Sequence, residues 1–143
     1  MAPSSDYQTA TLALLESTRD RIRTHAASEI PNEAVGILSA QGTLYPLINQ
    51  RRSNHQFSVS PVFISEGMQW LKDRGDRGVA FYHSHPTTPA TPSDADVLMM
   101  RSAPYTIHVI AGVDRIAAYL CEDDTADPLL VAEVAYGEYP PTD

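Results

Sequence analysis

A chain of 143 residues, 43% hydrophobic and carrying a formal net charge of −8, is the size of one domain with a buried core, and its negative charge repels phosphate backbones, so no nucleic-acid partner is expected. No apolar run approaches the roughly 20 residues of a membrane helix, and the start, MAPSSDYQTA, lacks the layout of a secretory signal. A single cysteine, Cys121, forms neither an internal disulfide nor a thiolate-rich zinc knuckle, so any metal must rely on histidine and carboxylate ligands.

These features predict a cytoplasmic single domain over residues 1–143 with short flexible tails at about 1–5 and 137–143. In chain order, Ser5-Asp6-Tyr7-Gln8 resembles a capping box, and Tyr7, Thr11, Leu14, Leu15, Thr18 and Ile22 then follow helical spacing until about Glu29. Val35 to Ser39, Thr43 to Ile48 and a short run around Phe57 to Val59 read as strands, with a turn at Gln41-Gly42. Ser60-Pro61 opens a second helix with Ile64, Met68 and Leu71 on one side and Gly75 as its stop. A strand over Gly78 to His85 precedes a helix from about Pro92 to Ser102. Strands at Tyr105 to Gly112, Arg115 to Cys121 and Leu129 to Tyr136 close the chain. The order α, three β, α, β, α, three β predicts an α/β protein in which helices pack on a mixed, curved sheet. The acidic run Glu122-Asp123-Asp124 lacks the spacing and glycine of a calcium loop and reads as a solvated hairpin tip.

The stretch FYHSHPTTPATPSDAD, residues 81–96, carries the chemistry. Strand alternation puts Val79, Phe81, His83 and His85 on one side, with the two imidazoles about 6–7 Å apart along the chain, close enough to converge on one ion. Pro86, Pro89 and Pro92 stiffen the connection that follows. Ser93-Asp94-Ala95-Asp96 opens a helix, where the helix dipole favours a carboxylate by about 0.3–1 kcal/mol. Two neutral histidines and one carboxylate leave a fourth tetrahedral position for water, the arrangement of a hydrolytic rather than a structural zinc. A plainer reading stands beside it: Ser93-x-x-Asp96 is close to an ordinary capping box, and paired histidines also occur as hydrogen-bonded strand residues.

Taken together, His-Ser-His-Pro, Ser93-x-x-Asp96 with ten residues between His85 and Asp96, and the upstream segment Pro31-Asn32-Glu33-Ala34-Val35-Gly36-Ile37-Leu38 resemble the JAMM motif of the JAB/MPN metalloisopeptidases. The resemblance runs from the first helix to the last strands and implies the JAB/MPN, cytidine-deaminase-like architecture. It implies that His83, His85 and Asp96 bind Zn2+, that Glu33 is the general acid/base, and that Ser93 helps stabilise the oxyanion. Chemically, such a glutamate takes the proton of the attacking water and returns it to the leaving amine.

Glu29 competes with Glu33 for the base, but Glu33 alone stands three residues before Gly36 as in the family pattern, and Glu29 reads as a solvated helix end. His25, His55 and His108 read as incidental, and Cys121 as a strand residue rather than a nucleophile. Many bacterial relatives carry Cys where this chain has Val35, an apolar exchange that leaves the metal ligands untouched. Little chain follows Asp96 before Asp143, which leaves little room for a long linkage-selecting insertion, so a compact prokaryotic or bacteriophage type is expected. The implied substrate is a protein with an extended C-terminal tail, such as a ubiquitin-like sulfur carrier, docking as a strand along a sheet edge near Asn54 to Ser60. The alternative is a bacteriophage tail-tip or tail-assembly component in the virion, partnered by tail proteins.

Overall fold

A computed structural model describes residues 5–51 and 57–136. Among these residues, three helices, α1 (Ser5–Glu29), α2 (Pro61–Asp73) and α3 (Asp94–Ser102), accompany six strands: β1 (Val35–Ser39), β2 (Leu44–Leu47), β3 (Gly78–Ser84), β4 (Ile107–Ala111), β5 (Arg115–Leu120) and β6 (Leu129–Ala135). The strands form one sheet in the order β2-β1-β3-β4-β5-β6. Among the described strands only β3 and β4 run parallel, Ala80 facing Ile107 and His83 facing Ile110. A parallel pair needs a long crossover, and here the connection carries the proline-rich loop and α3.

Alternation along the strands divides the interior into two layers. On one face α1 packs Leu15 and Ile22 against Leu38, Ala80, Tyr82, Val109, Ile116 and neighbouring apolar residues. Its buried stripe is narrow: Thr11 and Thr18 share it, and their hydroxyls donate to the carbonyls of Tyr7 and Leu14 one turn earlier. On the other face, Val35, Ile37, Leu47 and Leu71 form a cluster under α2, while Met100, Ile110, Ala117, Tyr119 and Cys121 form one under α3. Phe81 and His83 lie on this second face, in the seam between the two clusters.

The helix signals correspond to real ends. Ser60 caps α2, accepting the Val62 N–H with Pro61 in the first helical position, and Gly75 follows the helix at φ +72°. Ser93 caps α3 in a full capping box with Asp96. Ser5 already lies within α1. The loose tails expected at the chain ends lie, apart from Ser5, outside the described residues, as does His55. The acidic run between β5 and β6 is a solvated turn, in which the Asp123 carboxylate accepts from Thr125 and Ala126.

One expected strand is absent. Residues 57–60 belong to no strand, so the run Phe57 to Val59 and the docking edge drawn through Asn54 to Ser60 are corrected as far as described residues go. Their apolar alternation serves packing instead of pairing. The Phe57 ring lies 4.7 Å from the His83 ring, and Val59 joins the cluster beneath α2. The sheet edges are β2 and β6.

Gly36 shows how tightly the central strands are joined. It faces Tyr82 across the β1–β3 ladder, and a Cβ there would lie 3.0 Å from both the Tyr82 ring and the Tyr45 carbonyl oxygen. Tyr82 is held in place in turn, its hydroxyl 2.6 Å from His25 Nδ1. Because the backbone carbonyl cannot retreat without breaking the sheet, Gly36→Val is expected to cost about 1–3 kcal/mol, read as a lower urea midpoint with an unchanged slope.

Candidate metal centre

His83 faces the seam one residue before the end of β3, and His85 lies just beyond the strand, its N–H donating to the Ala111 carbonyl at 2.8 Å so that the parallel ladder extends past Ser84. The segment before β1 is tied to the same place. Ser84 N donates to the Ala34 carbonyl at 3.0 Å, and Ala34 N donates to Ser84 Oγ at 2.7 Å. Glu33 is thereby brought beside the end of β3. The Glu33 carbonyl also accepts from the Asn49 side chain at 2.9 Å.

The loop from Pro86 to Pro92 is anchored by its main chain. The Pro89 carbonyl accepts from His85 Nδ1 at 2.9 Å, Ala90 N donates to Asp114 Oδ1 at 2.9 Å, and the Ala90 carbonyl accepts from the Tyr119 hydroxyl at 2.7 Å. Gly112 lies directly beneath. A Cβ there would fall 2.1 Å from Ala90 N, so only glycine allows this approach of two backbones. The loop then delivers α3, whose first turn carries Asp96. Ser93 Oγ accepts the Asp96 N–H at 3.1 Å, while Asp96 Oδ2 accepts the Ser93 N–H at 3.0 Å.

These elements converge three donors. His83 Nε2 lies 3.2 Å from Asp96 Oδ1, His85 Nε2 lies 3.0 Å from Asp96 Oδ2, and the two Nε2 atoms are 3.2 Å apart. All three side chains are buried. A tetrahedral cation with donors at about 2.0–2.1 Å sets them about 3.3 Å apart, so the triangle has the right size for one ion. The bond from His85 Nδ1 to Pro89 keeps the proton on that nitrogen and turns the Nε2 lone pair inward. Among the described residues, His83, His85 and Asp96 are the group of three that could hold a metal ion.

The electrostatics suit a cation. Burial alone raises the Asp96 pKa, but hydrogen bonds from His83, His85 and the Ser93 backbone outweigh it and hold the carboxyl far below the usual range. Burial likewise lowers the His85 pKa, yet Asp96, the Pro89 carbonyl and Glu33 together raise it on balance. Glu33 behaves differently. It is 3% exposed, and burial pushes its pKa from 4.5 up to about 7, with His85 pulling it down and Asp96 pushing it up.

Of the residues set aside, Glu29 is exposed at the end of α1, and His25 bonds to Tyr82 in the α1 layer, away from the donors. Cys121 is buried one residue past β5, and burial raises its thiol pKa. Two neighbours of the centre escape sequence reasoning. Phe57 is one, flanking His83. The other is His108, which pairs with Phe81 one strand over, is buried on the seam, and has its pKa lowered to about 4 by burial and by His83. Its sequence signal is a histidine inside the otherwise apolar strand Ile107–Ala111.

A six-stranded mixed sheet with helices on both faces and a His-His-Asp donor set at the end of its central strand defines a JAB/MPN-type α/β fold. Residues 15–122 match the family described as prokaryotic homologs of the JAB domain, and the chain belongs to that family. It is 32% identical over 123 residues to a Thermus thermophilus protein described as "Probable TtuB-protein conjugate cleaving protease", covering 82% of this chain and 78% of the relative. The solution structure of protein DSY2949 from Desulfitobacterium hafniense has a similar fold, with TM-score 0.65 and 24% identity over 80% of this chain and 86% of that one. A JAB1/MPN domain protein from Archaeoglobus fulgidus, AF2198, aligns with TM-score 0.47 and 19% identity over 79% of this chain and 90% of its own. No helix among the described residues is long and apolar enough to cross a membrane.

The buried Glu33 has a measurable consequence for stability. With a folded pKa near 7 against 4.5 when unfolded, the folded state binds more protons between these values, so stability falls as pH rises through that window. In metal-free protein, Glu33→Gln is therefore expected to be more stable than the parent at pH 8, by on the order of 1–3 kcal/mol. The advantage should shrink as pH drops towards 4.5 in denaturant titrations.

Proposed function

We propose that this chain is a zinc-dependent peptidase or isopeptidase that hydrolyses an amide bond at the flexible C-terminal tail of a protein, as in a conjugate between a small carrier protein and its target. The observation that carries this reading is the convergence of His83, His85 and Asp96 at 3.0–3.2 Å beside a buried glutamate with a pKa near 7. Membership of the prokaryotic JAB family and the conjugate-cleaving description of the Thermus relative support it.

When bound, zinc supplies Lewis acidity, polarising a carbonyl and bringing water deprotonation into the neutral range. His83, His85 and Asp96 would hold it. Glu33 acts as the general base and then the acid: its raised pKa matches proton exchange near neutral pH, taking a proton from water and returning it to the departing amine. The Ser93 oxygen accepts the Asp96 N–H, which leaves its own proton to donate to the developing oxyanion. Cys121, buried with a raised thiol pKa, does not compete as a nucleophile, so water attacks directly. The tail-assembly alternative has no observation in its favour.

The test is hydrolysis of a conjugate whose carrier ends in Gly-Gly joined to a target lysine, followed by mass spectrometry. A chelator should abolish cleavage and added zinc restore it. Glu33→Gln should lower kcat by about 100-fold or more with zinc content unchanged, while His85→Ala should lose both zinc and activity. Cleavage indifferent to the chelator and to Glu33→Gln overturns the proposal.

A further inference from the structure

On the face of the sheet that carries His83, the seam between α2 and α3 opens into a cavity of about 310 Å³. Its walls are apolar, built from Phe57, Ile64, Phe81 and Met99 among others, and both His83 and His108 line it. His108 is 3% exposed, and neither of its ring nitrogens has a hydrogen-bond partner. Leaving a buried polar group unpaired costs about 1–3 kcal/mol, and a neutral imidazole carries one donor and one acceptor. A hydrocarbon residue here would avoid that cost, as Ile107 and Val109 do on either side. The cost is recovered when something brings a polar atom into the cavity.

The position indicates what that is. His108 faces Phe81 across the parallel ladder, two residues before His83 on the same side of β3, which places it about 6–7 Å along the strand direction from the donor. A group filling the cavity thus lies within one residue's reach of a bond held at the metal centre. His83 is turned to Asp96 and His85, which leaves His108 as the unpaired imidazole on a largely apolar wall, and this selects a side chain that is hydrocarbon along its body and polar at its tip. A phenol fits this description best, because its hydroxyl both donates and accepts and so pairs with whichever imidazole nitrogen is presented.

We infer that this cavity is a specificity pocket for a tyrosine side chain flanking the scissile bond, with His108 as the residue that reads its hydroxyl. The inference rests on the proposed hydrolase for its biological setting, but the pocket is tested without turnover. Zinc-loaded protein with 15N-labelled histidine is titrated with p-cresol and with toluene, and the ring nitrogens of His108 are followed by long-range 1H–15N correlation. Expected are a shift of the His108 signals by p-cresol, at least tenfold tighter binding of p-cresol than of toluene, and loss of that preference in His108→Leu. Unmoved His108 signals, or a parent protein that binds toluene as well as p-cresol, overturn the inference, and this comparison within the parent stands even if the variant folds poorly. In turnover, peptides with Tyr rather than Phe beside the cleaved bond should show a kcat/KM ratio of 10 or more that collapses towards 1 in His108→Leu. p-Cresol binding without cleavage of any peptide supports the pocket and counts against the hydrolase.

Discussion

The carboxyl group of Asp96 has two obligations. One oxygen closes the capping box of α3 by accepting the Ser93 N–H and also meets His85 Nε2, and the other meets His83 Nε2. The start of the helix and the donor triangle are therefore one construction, and neither is in place without the other. A helix N-terminus favours a carboxylate electrostatically, so the fold itself helps keep Asp96 anionic at the point where two imidazoles converge. The cap that looks purely structural in the sequence is also what aims the carboxylate.

Topology explains why these groups meet. β3 occupies the middle of the sheet, between antiparallel β1 and parallel β4. The β1 side contributes the approach segment with Glu33, and the crossover from β3 to β4 contributes the loop and α3. All three arrive at the same end of β3. The seam between α2 and α3 leaves that end open on one face, with Phe57, Phe81 and His108 in place of a packed core. The donor triangle and incomplete packing thus coincide, the combination typical of concave binding sites.

Much of this was legible in the residues themselves. The strand alternation of Phe81 and His83, the Ser60-Pro61 and Ser93-x-x-Asp96 helix starts, and the Gly75 stop are local signals with local causes, and the structure bears each out, whereas Val79 falls at a register shift of the β1–β3 ladder and lines a pocket with α1. The donor triangle followed from the same logic, because a period of two and a short stiff loop nearly dictate where His83, His85 and Asp96 go. The reading failed at Phe57 to Val59, where alternation reflects packing on His83 and under α2 instead of a ladder. His108 stays outside the donor group, as its spacing suggested, but its place beside the centre was not legible. Spacing along the chain cannot show that residue 108 faces residue 81, since that neighbour relation exists only through the register of a parallel pair.

The way the loop from Pro86 to Pro92 is held has a further consequence. Every link described for it runs through backbone atoms: the Pro89 and Ala90 carbonyls, the Ala90 amide, and the Thr88 carbonyl that accepts the Val113 N–H. The side chains of Thr87, Thr88 and Thr91 point into solvent and take part in none of these links. The molecule thus separates the scaffolding of its reactive end from the lettering around the rim. That rim can be respelled to suit a different visitor while the imidazoles and carboxylate beneath stay where they are.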